Sequence, residues 1–105
     1  MELKFKEALD FYRNGQLNKS KEICLKIIKN YPKHFDSFHL LSIIYFLNKN
    51  YLEASKLIDK AIKINPNQAN AYYDQGTIFH QHEKYKLALK SYNKAIKINP
   101  KYARA

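Results

Sequence analysis

The sequence predicts an all-α fold made of three helix pairs stacked side by side. Three observations carry that expectation. The heptapeptide KAIKINP stands at 60–66 and recurs unchanged at 94–100. Pro32, Pro66 and Pro100 are spaced 34 residues apart, so the whole chain shares one period. Only 2 Gly and 3 Pro occur in 105 residues, which argues against a turn-rich β fold and suits long helices. Self-similarity at a fixed period of roughly 20–50 residues marks an architecture in which each unit buries its apolar face against the next.

Each period holds two helix-like stretches. In the first, LKFKEALDFYR and LNKSKEICLKIIK are parted at Asn14-Gly15. In the second, DSFHLLSIIYFL and YLEASKLIDKAIKI are parted at Asn48-Lys49-Asn50. In the third, NAYYDQGTIFHQH and YKLALKSYNKAIKI are parted at His82-Glu83-Lys84. Every second stretch stops before Tyr-Pro or Asn-Pro. Proline lacks the N–H that would continue the ladder and turns the preceding residue away from α geometry.

Within the period, residue types recur at fixed offsets. The second unit reads Phe38, Leu41, Ser42, Tyr45, Ala54, Ile58, Ala61, Pro66. The third reads Tyr72, Gln75, Gly76, Phe79, Ala88, Tyr92, Ala95, Pro100. With this spacing the chain resembles the tetratricopeptide repeat over its whole length. The resemblance implies a right-handed α-solenoid of three helix-turn-helix pairs, with repeats at 1–34, 35–68 and 69–102. Residues 103–105 are expected to open a fourth first helix that is cut short. Small residues let paired helices close, so Ser42 or Gly76 is expected to meet Ala54 or Ala88. The first unit reads Lys4, Glu7, Ala8, Phe11, Ser20, Cys24, Ile27, Pro32. Lys4 and Glu7 replace large apolar residues there, so this repeat is either degenerate or an N-terminal cap with one wet face. At the other end the sequence stops before any polar capping helix, so the array is expected to be the front portion of a longer one. Apolar side chains around Tyr92 and Ile96 are expected to be uncovered, which would favour self-association through that end.

Composition narrows the function classes. The formal net charge is +10, from 19 Lys and Arg against 9 Asp and Glu, which favours solubility and anionic partners without fixing a fold. The single cysteine, Cys24, excludes an internal disulfide and fits a reducing, cytoplasmic setting. Met1 runs into ELKFKEALDFY without an apolar core, so no secretory leader is expected, and no run is long enough to span a membrane. His80 and His82 sit two apart and cannot share a helix face as a metalloprotease His pair does. Neither Gly15 nor Gly76 belongs to a phosphate loop, and no acidic pair has a reason to converge. No catalytic residue, cofactor or metal is therefore expected.

Two surfaces remain. Lys56, Lys60 and Lys63 recur as Lys90, Lys94 and Lys97, with Lys26 and Lys29 ahead of them, forming a basic ridge on the second helices. No aromatic residues interleave this ridge, so base stacking lacks a platform and nucleic-acid binding is not expected, while affinity for RNA or lipid would be salt-sensitive. The other surface is the concave groove, which the resemblance places on the first helices. Its expected residues are Phe5, Leu9, Tyr12 and Arg13, then His39, Leu40, Ile43, Phe46 and Leu47, then Tyr73 and Thr77. Lys6 and Asp74 complete the row at either end. The middle is apolar, and an exposed apolar patch on a small domain marks an interface.

The chaperone-carboxylate clamp of this family does not carry over, since its positions hold Phe5, Leu9, Leu40, Asn70 and Asp74. The asparagine ladder of the glycosyltransferase arrays fails likewise, with Lys6, Leu40 and Asp74 in its place. The expected function is thus a protein-interaction scaffold that binds a peptide or amphipathic helix, with self-association through the groove or the uncapped end as a further partner mode. Binding of anionic surfaces by the lysine ridge, or service as the front of a larger enzyme, are the alternatives.

Overall fold

The computed structural model describes residues 2–104. Six α-helices follow one another: α1 Glu2–Arg13, α2 Leu17–Asn30, α3 Phe35–Leu47, α4 Tyr51–Ile64, α5 Ala69–Gln81 and α6 Tyr85–Ile98. A short 3-10 turn, Pro100–Arg104, follows and overlaps the first two of the residues 103–105 at which a fourth first helix was expected to open. Residue 105 lies outside the described residues. The helices pair as α1 with α2, α3 with α4 and α5 with α6, and each pair leans on the next through α2 against α3 and α4 against α5. This is the expected solenoid of helix pairs.

The turn inside each pair repeats with the period. Gly15, Lys49 and Glu83 all adopt left-handed backbone, with φ of 79°, 63° and 59°. One residue later, the amides of Gln16, Asn50 and Lys84 donate to the carbonyls of Phe11, Tyr45 and Phe79 at 2.9, 2.9 and 2.8 Å. That six-to-one bond is the Schellman closure, which satisfies carbonyls left open at a helix end. Glycine adopts this geometry freely, whereas lysine and glutamate there carry a steric cost. At the start of α3, His34 Nδ1 accepts from the Ser37 amide at 3.2 Å, and Asn50 Oδ1 accepts from the Glu53 amide at the start of α4 at 3.4 Å.

Two apolar clusters hold the repeats together. Ala8, Cys24, Leu40, Leu41 and Ile44 join the first repeat to the second. Phe38, Ala54, Ile58, Ala61, Ala71 and Ile78 join the second to the third. Tyr45, Leu57 and Ile28 pack against both, so the core is continuous along the stack. Each fully buried Leu or Ile contributes about 1.5–3 kcal/mol.

Small residues seat the paired helices. Ser20 is fully buried and its Oγ donates to the Ala8 carbonyl at 2.8 Å, tying α2 to α1. Above Gly76 the nearest atoms are those of the Tyr92 ring: a Cβ added at Gly76 would stand 2.7 Å from it. Lys4 and Glu7 are exposed, so α1 does leave one face wet. Cys24 is fully buried, and burial pushes its thiol up to about 12.

The far end is better covered than the sequence suggests. Tyr92 and Ile96 are half-buried. Tyr73 stacks against both Tyr92 and Tyr102, at centroid distances of 5.4 and 5.3 Å, so the terminal turn folds back over the last pair. The large apolar residues that α6 does expose are Tyr85, Leu87 and Leu89.

Candidate functional site

A cleft of about 260 Å³ crosses the three first helices. Tyr12 of α1 borders one side, Ile43, Phe46 and Leu47 of α3 form the middle, and Asp74, Thr77 and Ile78 of α5 close the other. These α3 residues share a face because they are three and four apart on a helix of 3.6 residues per turn. Leu47 is half exposed, and Ile43 and Phe46 are partly so. Phe46 is steadied by the Tyr51 ring at 5.6 Å.

Leu40 corrects the expected row. It is 5% exposed and sits in the cluster with Ala8 and Cys24, beneath the groove rather than in it. The reason is the stagger between repeats. At two points in the stack, a residue one period plus one position after an expected groove residue leans back on the preceding repeat. Leu40 stands 35 residues after Phe5, and both belong to the same cluster. His39 and Asp74 are also 35 apart, and here the relation is polar: His39 Nε2 lies 2.6 Å from Asp74 Oδ2, with both side chains largely sheltered.

The remaining expected residues divide. Phe5 and Leu9 are half-buried against the first cluster, and Phe5 meets His34 edge-on at 5.3 Å. Tyr12 lines the cleft. Arg13 is exposed, 4.0 Å from Asp10 in the same helix. Thr77 lines the cleft and shares a 3.1 Å hydrogen bond with the Tyr92 hydroxyl. Tyr73 belongs instead to the tyrosine stack at the far end. Ile78 was absent from the expected site, yet it borders the cleft while almost wholly buried. The His39–Asp74 pair was also missed, and the 34-residue period with a one-residue offset was the signal that could have found it.

On the outer face, Lys26, Lys29, Lys56, Lys60, Lys63, Lys90, Lys94 and Lys97 are all exposed, as the ridge required. Aromatic rings do lie beneath two of them: Lys60 is 5.7 Å from the Phe38 centroid and Lys94 is 5.9 Å from that of Tyr72. They come from the first helices, which linear inspection of the ridge could not reveal. Among the described residues no group of three or more His, Cys, Asp and Glu side chains comes together as metal ligands would. Among the described residues, no helix is long and apolar enough to cross a membrane.

Three tetratricopeptide-repeat family models match end to end, over residues 2–34, 35–68 and 69–102. The chain belongs to the tetratricopeptide-repeat family. No curated protein matches it in sequence. In structure the repeat domain is similar to a crystal structure of MamA, with a TM-score of 0.93 at 23% identity, covering 98% of this chain and 60% of that one. It is similar to an O-GlcNAc transferase from Thermobaculum terrenum, with a TM-score of 0.87 at 24% identity over 98% of this chain and 20% of the transferase. It is also similar to the first repeat domain of Spaghetti (RPAP3), solved bound to the HSP90 peptide SRMEEVD, with a TM-score of 0.90 at 17% identity over 93% and 78% of the two chains. The tetratricopeptide domain thus spans less than two thirds of the MamA and transferase chains. At these identities the likeness concerns the fold.

Proposed function

We propose that this tetratricopeptide domain is a protein-interaction scaffold whose first-helix groove takes the apolar face of an amphipathic helix. The observation that supports this reading is the cleft across α1, α3 and α5, with Ile43, Phe46 and Leu47 partly or half open along one helix face. An amphipathic helix presents anchors at i, i+3 and i+7 that match such a row. Exposed Lys6 and Arg13 at the α1 end suit acidic residues on the flank of the incoming helix. The similar domain of Spaghetti was solved with a peptide, which agrees with peptide capture as a use of this fold. Binding of that particular acidic peptide is not carried over, because Asp74 stands in the groove beside His39.

Selection of displayed amphipathic helices tests the reading. Enriched sequences are expected to share apolar anchors at helical spacing and acidic flanks, and to lose binding to Ile43→Ser combined with Leu47→Ser. Enriched helices that bind this folded double variant as well as the parent would refute it.

A further inference from the structure

A second cleft lies on a different side of α5. Residues 72, 75 and 79 line it, whereas 74, 77 and 78 line the groove, and at 3.6 residues per turn the two sets face nearly opposite ways. Its volume is about 530 Å³, in the range of pockets that hold ligands or anchor side chains. Tyr72, Phe79 and Leu87 supply apolar walls, and Leu87 is half exposed.

The second repeat shows why the space is open. Leu41 and Leu57 stand one period before Gln75 and Ser91, and both take part in the apolar core. In the third repeat that bulk is missing. Ser91 is 6% exposed, and its Oγ donates to Gln75 Oε1 at 2.9 Å. With its carbonyl so engaged, Gln75 has an NH₂ group to offer an incoming carbonyl or carboxylate. Lys90, Lys94 and Lys97 also line the cleft, at i, i+4 and i+7 along α6.

We propose that this cleft is a second docking site, specific for an acidic peptide segment that inserts one aromatic or aliphatic side chain between α5 and α6. Charge complementarity selects the occupant. Three ammonium groups in a row suit several carboxylates, not the single one of a fatty acid, while the apolar walls require an anchor that charge alone does not supply. A single-stranded nucleic acid would need open ring faces for its bases. Lys94 already stands over the Tyr72 ring, at 5.9 Å. The site lies apart from the first-helix groove and does not depend on how the groove is used.

The test uses a fluorescein-labelled glutamate-rich peptide with one central phenylalanine, followed by anisotropy. Replacing that phenylalanine by alanine is expected to weaken binding by about tenfold or more, as for loss of a buried anchor. Ser91→Leu, which restores the bulk found in the second repeat, is expected to do the same. Lys90→Glu with Lys94→Glu should abolish binding, while Ile43→Ser with Leu47→Ser should leave it unchanged. Circular dichroism confirms that each variant is folded; if Ser91→Leu is not, Leu87→Ser takes its place. Equal binding of the phenylalanine and alanine peptides, indifference to the cleft variant, or tighter binding of a uridine oligonucleotide than of the peptide would overturn the proposal.

Discussion

His39 of α3 and Asp74 of α5 meet at 2.6 Å across the boundary between the second and third repeats. The pair occupies the same stagger that brings Leu40 and Phe5 into one apolar cluster one repeat earlier, so a polar contact stands where apolar packing does at the equivalent point in the stack. His39 is 13% and Asp74 31% exposed at the side chain, which shelters the contact from full solvent screening. A double-mutant cycle of His39→Ala and Asp74→Ala in urea is expected to give a coupling energy of about 1 kcal/mol. Strict additivity would show that the contact contributes nothing to repeat stacking.

The two glycines have different reasons to be there. At Gly76 a Cβ would meet the Tyr92 ring at 2.7 Å, and that ring is fixed by Thr77 and Tyr73. Gly76→Ala is expected to cost about 1–3 kcal/mol by overpacking. The loss should shrink when Tyr92 is first changed to Ile, the residue type the second repeat carries at position 58. An undiminished loss in the Tyr92→Ile background would place the cost in the backbone instead.

A Cβ built on Gly15 would meet nothing within 4 Å, so its role is the left-handed turn alone. Lys49 and Glu83 hold that turn without glycine. Lys49→Gly is expected to stabilise the fold by up to about 1 kcal/mol, and Gly15→Ala to destabilise it by a similar amount. For a domain of this size each corresponds to a melting shift of about 4–8 °C, measurable by circular dichroism. A lowered melting temperature in Lys49→Gly would contradict the strain assigned to that turn.

The period made the fold legible. It set three turns and three proline stops, and the structure places helix ends beside each. The groove was legible only in part. Helical phase identified Ile43 and Leu47, which do line the cleft, because phase depends on one helix. It misplaced Leu40, because the burial of that face depends on how far the next repeat is offset, and a single helix carries no record of that. The same limitation hid the His39–Asp74 contact and the rings beneath the lysine ridge, which pair residues from different helices. The tyrosine cover over the far end went unread for a related reason: Tyr102 meets Tyr73 of another helix, as His34 meets Phe5 two periods earlier.

Burial holds the Cys24 thiol neutral far above its ordinary range, up to about 12. The folded pKa exceeds the unfolded one, so the unfolded state loses its proton first as pH rises. Stability from this group is complete below about pH 9 and declines between there and pH 12. Ellman's reagent is therefore expected to react with Cys24 only as fast as the protein opens, and Cys24→Ala should flatten the alkaline part of the stability profile. Prompt labelling of the native protein at neutral pH would show that the thiol is accessible.

The placement of Leu40 separates stability from binding along one helix. Leu40 is 5% exposed inside the cluster joining the first two repeats, while Leu47 is 50% exposed on the cleft. Leu40→Ala is expected to cost about 2–5 kcal/mol through a cavity at the repeat boundary. Leu47→Ser, at an exposed position, should stay within about 0.5 kcal/mol of the parent. Binding of a groove-selected helix is expected to show the reverse order once both variants are kept under conditions where they are folded. Leu40→Ala leaves the cleft side chains in place, whereas Leu47→Ser removes an anchor contact. Urea titration and anisotropy on the same two variants measure both quantities. Equal stability losses would mean that Leu40 is not buried between the repeats. A folded Leu40→Ala variant that loses binding as completely as Leu47→Ser would return Leu40 to the groove.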